Sequence, residues 1–164
     1  MKSLIIINGP PGVGKTAICR RLLKKLEFAV WLDGDWCWMM DPFVITRENK
    51  EMAEDNIMHL LRNFLSNENF QNVIFDWVMH KEGIGKRILK GLGDLDFQLY
   101  KFTLICSREA LEKRMSEAGR SVGQISRAMG YLPFYRGHDT VKVDTTGRNI
   151  ADTVEYLLRK INND

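Results

Sequence analysis

The sequence predicts an α/β domain built on a parallel sheet, and three observations carry that expectation. Short apolar runs alternate with segments of helical periodicity along the whole chain. The run Leu4-Ile5-Ile6-Ile7 leads into Gly9-Pro10-Pro11-Gly12-Val13-Gly14-Lys15-Thr16, which satisfies the phosphate-loop pattern GxxxxGK[ST] at every fixed position. A chain of 164 residues, 45% apolar and 27% charged, has the size and composition of one globular domain, residues 1–164.

The elements follow in order. Leu4–Ile7 reads as a buried strand and Ala17 to Leu26 as a helix. Phe28-Ala29-Val30-Trp31-Leu32 is a second strand, ending at Asp33-Gly34-Asp35. From Arg47 to Ser66, Ala53, Ile57, Leu60, Leu61, Phe64 and Leu65 recur at helical spacing, with Thr46 placed to cap. Asn72–Trp77 is a third strand, and Lys81–Leu92 a weaker helix carrying Ile84, Ile88 and Leu92. Leu99–Cys106 makes a fourth strand, and Ser107 caps a helix bearing Leu111 and Met115. Thr140–Asp144 is the fifth strand, and Ile150, Val154, Leu157, Leu158 and Ile161 share one face of a last helix. Strands alternating with helices imply a sheet covered on both sides, with ligands at the carboxyl ends of its strands.

Charge and cysteine content narrow the function classes. The formal charge of +3 comes from scattered Lys and Arg without the dense basic stripe of a nucleic-acid binder. Cys19, Cys37 and Cys106 lie far apart without metal-ligand spacing, the usage of reduced thiols in a cytoplasm. The apolar run at the start is too short for a signal segment, and no stretch reaches membrane-spanning length. The expectation is a cytoplasmic chain that engages neither membrane nor nucleic acid.

The glycine-rich loop explains its own composition. Glycines let the backbone wrap a polyphosphate with its N–H groups turned inward, and the following helix adds its positive end. Gly9, Pro10, Pro11, Gly12, Val13, Gly14, Lys15, Thr16 and Ala17 are therefore the expected nucleotide-binding residues. Lys15 is placed to reach the β- and γ-phosphates, and the Thr16 hydroxyl to complete a magnesium shell. Asp33 and Asp35 fall at the rim after the second strand, one positioned for magnesium and the other to orient an incoming hydroxyl. Asp76 ends the third strand, the usual place of a second magnesium carboxylate. Trp77 follows where many hydrolytic motors carry a glutamate, which argues against a motor. Asn49-Lys50-Glu51-Met52 lacks the aspartate of a guanine-reading [NT]KxD, and Asp144-Thr145-Thr146-Gly147 spells DxxG after the wrong strand.

Between the fourth and fifth strands come Arg108, Arg114, Arg120, Arg127 and Arg136. Guanidinium forks suit a transferring phosphate, and Gly119-Arg120-Ser121 breaks the helix where a lid would hinge. Arg114 and Arg120 are the expected catalytic arginines, beside Lys15 and Asp35. Trp36, Trp38, Met39, Met40, Phe43, Trp77, Met79 and His80 gather at the ends of the second and third strands, apolar and aromatic enough to stack on a flat ring or to serve as core.

These residues resemble the small P-loop kinases related to nucleoside monophosphate kinases, the circle that includes shikimate, gluconate, adenylylsulfate and chloramphenicol kinases. The likeness rests on Gly9–Thr16, Leu32-Asp33-Gly34-Asp35, Arg114 and Arg120, and Val143-Asp144-Thr145-Thr146-Gly147. Trp36–Met40 and Phe75–His80 are similar to bacterial proteins described as nucleotide kinases. The resemblance implies a three-layer P-loop NTPase fold, a five-stranded sheet of order 2-3-1-4-5, and a short lid over about 114–136. It further implies ATP and Mg2+ as cofactors, Arg120 closing on phosphates and base, and Thr146, Gly147 and Arg148 packing against adenine. The paired acceptor-binding arginines expected of an adenylate kinase are missing.

The resulting expectation is a monomeric or homodimeric ATP- and magnesium-dependent phosphotransferase acting on a small-molecule acceptor, a nucleotide or nucleoside-like compound. An antibiotic-modifying kinase is the alternative within the class, and a nucleotide switch or slow NTPase the alternative outside it.

Overall fold

A computed structural model describes residues 1–162. Five parallel strands form one sheet: β1 (Ser3–Asn8), β2 (Ala29–Asp33), β3 (Asn72–Trp77), β4 (Gln98–Ile105) and β5 (Val141–Asp144). Their order is β2-β3-β1-β4-β5, as the resemblance implied. The helices are α1 (Lys15–Leu23), α2 (Arg47–Ser66), α3 (Glu82–Gly91), α4 (Arg108–Glu117), α5 (Val122–Arg136) and α6 (Ile150–Asn162). A 3-10 turn, Gly34–Trp38, follows β2.

β1 is central because its apolar run leaves neither face for water. Its side chains alternate, so Ile5 and Ile7 enter one core while Leu4 and Ile6 enter the other. The first core joins Ile18 and Leu22 of α1, Leu111 of α4, Leu132 of α5 and Leu157 of α6. The second joins Ile57 and Leu61 of α2 and Ile88 of α3. β1 pairs in parallel with β3 on one side and β4 on the other, Asn8 lying opposite Trp77 and Thr103. This register brings the ends of β1, β2 and β3 to one rim.

Local signals set most of the boundaries. Thr46 accepts from the Asn49 N–H at 3.0 Å and Ser107 from the Ala110 N–H at 3.1 Å, each starting its helix where the cap stands. The region expected as a short lid over about 114–136 holds the end of α4 and the whole of α5. Its second half is the fifteen-residue helix α5, opened by a capping box in which Ser121 and Gln124 satisfy each other's backbone N–H. Gly119, with φ at +71°, makes the break between α4 and α5.

No helix of the described residues is long and apolar enough to cross a membrane.

Candidate active site

The loop between β1 and α1 lies against the first core. Gly12 adopts φ +82°, and a Cβ there would stand 2.4 Å from Cγ of Met115, so a side chain at this position collides with α4. Lys15 starts α1, is 9% exposed, and donates to the carbonyls of Gly9 at 2.9 Å and Pro10 at 3.1 Å. Burial lowers its pKa, while the nearby carboxylates of Asp76, Asp35 and Asp33 oppose that loss of charge. Gly9, Pro10 and Val13 are buried beneath the loop, whereas Pro11, Gly12, Gly14, Lys15, Thr16 and Ala17 face a cleft of about 1840 Å³.

The three strand-end carboxylates meet at this cleft, as the sheet rule predicts. Thr16 Oγ1 donates to Oδ2 of Asp33 at 3.4 Å, and Oδ1 of Asp33 accepts from the Asp35 N–H at 3.0 Å. Asp33 is thereby fixed between α1 and the 3-10 turn. Gly34 is needed here because a Cβ would lie 2.4 Å from Trp77 Cγ, which packs the end of β2 onto the end of β3. Asp35 stands on the open side of the turn, and burial in the cleft followed by the charge of Asp33 raises its pKa.

Asp76 is 1% exposed; Trp31 Nε1 donates to its Oδ1 at 2.6 Å, and its Oδ2 is buried without a hydrogen-bond partner. Burial chiefly, with a smaller push from Asp33, raises its pKa to about 6. An unsatisfied buried carboxylate oxygen beside Asp33 and Thr16 fits a divalent cation and its water. Among the described residues no group of three His, Cys, Asp or Glu side chains could hold a metal by itself. A cation here would need oxygens from outside the protein as well.

Two sets of expected residues stand elsewhere. Arg114 is not on the cleft: α4 turns it toward the end of β5, where its guanidinium donates to Oγ1 of Thr145 at 2.9 Å and to the Thr145 carbonyl at 2.6 Å. Its neighbour Met115 faces the P-loop instead. Thr146, Gly147 and Arg148, expected against adenine, do not line the cleft either. Thr146 Oγ1 accepts from the Ser107 N–H and donates to Asp144, while the Arg148 guanidinium sits 4.7 Å over the Tyr156 ring. Of the five arginines between β4 and β5, Arg120 and Arg127 reach the cleft.

Other residues of the site were not singled out from the sequence. Asn8, just before the P-loop, takes the N–H groups of Gly9 and Met79 on its Oδ1 and donates to the Met79 carbonyl, clasping the ends of β1 and β3. Its Nδ2 also meets His138 Nδ1 at 3.1 Å, and His138 Nε2 reaches the His80 carbonyl at 3.0 Å. Tyr131 stacks on His80 with ring centroids 4.4 Å apart. The Ser121-to-Gln124 capping spacing was the available signal for α5, and with it for Arg127 and Tyr131 on the helix.

A phosphate loop at a helix N-terminus, strand-end carboxylates and a roomy cleft define a P-loop domain of the kinase-like kind. Residues 5–130 match the AAA domain family, and the chain belongs to that family. A cytidylate kinase of Buchnera aphidicola subsp. Baizongia pistaciae is 33% identical over 76 residues, covering 43% of this chain and 33% of that protein. The match thus spans about a third of the curated relative's length.

Solved structures similar in fold include the Deinococcus radiodurans tunicamycin resistance protein, with TM-score 0.77 and 21% identity over 98% of this chain and 96% of that one. A gluconokinase from Sinorhizobium meliloti gives TM-score 0.73 at 17% identity, covering 99% and 92%. A sugar kinase from Janibacter gives 0.72 at 12%, covering 99% and 95%. The fold expected from the motifs is therefore shared with these structures across nearly the whole chain.

Proposed function

We propose that this chain is an ATP- and magnesium-dependent phosphotransferase that moves the γ-phosphate to a small-molecule acceptor, a nucleotide or nucleoside-like compound. One observation carries the reading: a P-loop and two rim carboxylates share a cleft larger than one ligand needs. Small-molecule sites usually occupy about 300–1,000 Å³. A cleft of about 1840 Å³ has room for an acceptor beside the donor, which a nucleotide switch does not require. The cytidylate kinase relative and the kinases among the fold neighbours support the same class.

In this reading the N–H groups of the loop and Lys15 hold the phosphates, and Arg120 faces the developing charge. Thr16, Asp33 and Asp76 would hold magnesium, whose charge offsets that of the phosphates when bound. Asp35 accepts the proton of the acceptor hydroxyl. The acceptor oxygen bonds to the γ-phosphorus as the bridging bond breaks, and ADP leaves with that electron pair. Asp35 lines the same cleft as Lys15, Thr16 and Arg120, on the open side of the turn where an acceptor hydroxyl can reach it.

The test is a screen with ATP and magnesium that reads ADP over nucleosides, nucleotides, and aminocyclitol or phenicol antibiotics. The antibiotics are included because one fold neighbour is a tunicamycin resistance protein. With the acceptor found, Asp35→Asn should keep ATP affinity within a few-fold while turnover falls by about 10²–10⁴. Unchanged transfer in that variant would make Asp35 a turn residue and remove the mechanism.

A further inference from the structure

The cleft continues beyond the carboxylates into a region of opposite charge. Lys50 reaches it from the first turn of α2, His80 and Lys81 from the segment between β3 and α3, and Arg127 from α5. Among the described residues Lys50, Lys81 and Arg127 make no ion pair, whereas Arg87, also on the cleft, is held at two points by Glu54. Lys81 is also the N-cap of α3 and offers it no side-chain cap, so the positive end of that helix opens beside Gly83 on the cleft wall. Glu82, the acidic residue of that first turn, is engaged by the Asp139 N–H and by Lys86. Asp41 is the remaining cleft carboxylate on this side and stands exposed on the segment after the 3-10 turn. Burial first, then the charges of Lys81, His138 and Lys50, lowers the pKa of His80.

We infer that this end is an oxyanion subsite: the acceptor carries a phosphate monoester or carboxylate held by Lys50, Lys81, Arg127 and the start of α3. This rests on the phosphotransfer reading and deepens it. Charge fixes which way round the acceptor lies. An anionic nucleophile would approach Asp33 and Asp35 against like charge, whereas a hydroxyl meets there a carboxylate able to take its proton. The acceptor therefore presents a hydroxyl to Asp35 and its anion to the far end. The stacked His80–Tyr131 pair, closed edge-on by Phe134, offers the part between them a flat apolar surface.

The experiment uses the intact chain first saturated with Mg-ADP, which occupies the P-loop, with imidazole NMR of its three histidines. Phenyl phosphate, benzoate and neutral phenol are then titrated separately. Phenyl phosphate or benzoate should shift the His80 resonances saturably while His59, exposed on α2, stays still. Whichever anion binds more tightly identifies the oxyanion. Lys50→Gln with Lys81→Gln should weaken that binding by about tenfold or more and leave Mg-ADP affinity unchanged. The single substitutions carry the test if the double variant does not fold. No saturable shift at His80, equal binding by phenol, or equal binding by the variants overturns the subsite. Failure to bind Mg-ADP overturns the nucleotide reading instead, and the His80 titrations are then read on the free protein.

Discussion

Asp76 concentrates the conflict between stability and function in one side chain. One oxygen is satisfied by Trp31 and the other is buried with no partner, so the folded protein disfavours its charge. Its folded pKa, about 6, lies above the ordinary 3.8, so the unfolded chain releases this proton more readily. Through this group native stability falls as pH rises from about 4 to about 6, and the penalty persists at neutral pH. Asp76→Asn retains an acceptor for Trp31 and removes the charge. In chelator without nucleotide, it should stabilise the protein at pH 7–8 by ~1–3 kcal/mol and give no gain below pH 4. Thermal melts across that range check the sign, and a magnesium titration of nucleotide binding should show weakened metal dependence. Arg114 carries the opposite lesson. Its charge pattern pointed to phosphate, but both of its contacts hold Thr145, which is buried and bonded to the Ile105 carbonyl. Arg114→Met should therefore lower stability by ~1–3 kcal/mol, read by denaturant melts, because it leaves buried acceptors short of a donor.

Among the elements, α4 and α5 decide whether the cleft can close. Gly119 ends α4 in the left-handed region, with the Arg120 N–H reaching back to the Met115 carbonyl at 3.0 Å. The turn from Glu117 to Gly123 is exposed and carries Arg120 at the cleft, so it is suited to order around a bound phosphate. Hydrogen exchange over Glu117–Gly123 should slow on adding Mg-ATP. Equal exchange with and without ligand would leave Arg120 an ordinary surface charge. Most element starts were legible because their signals are local: Thr46 and Ser107 cap where they stand in sequence. α5 is hard to read in the sequence because Gly123, Gly130 and Pro133 dilute its helical pattern, which leaves the Ser121–Gln124 capping box as its local signal. Pro133 is tolerated in the last turn of a helix already fixed by Ala128 and Leu132 in the core.

At the scale of the molecule, the two cores stand on opposite faces of β1 and leave the P-loop at the rim between them. Lys15→Ala should then keep the fold, with a melting temperature within a few degrees, while calorimetry finds ATP binding lost and turnover abolished. Lys15 bonds only to loop carbonyls, and no core packing depends on its ammonium. By itself the sequence determined the alternation of strands and helices, the phosphate loop and the three carboxylates at or just after the ends of β2 and β3. Each is encoded within a few residues, through side-chain period, glycine spacing and strand-end position. The tertiary structure alone decided which distant groups share a site: Trp31 with Asp76, Asn8 with His138, and Lys50 with His80 and Lys81 on the cleft wall. It also decided that Arg114 turns to Thr145 instead of the cleft. The reason is that a helix repeats its surface every turn, and only packing against the sheet selects the face that looks into the cleft.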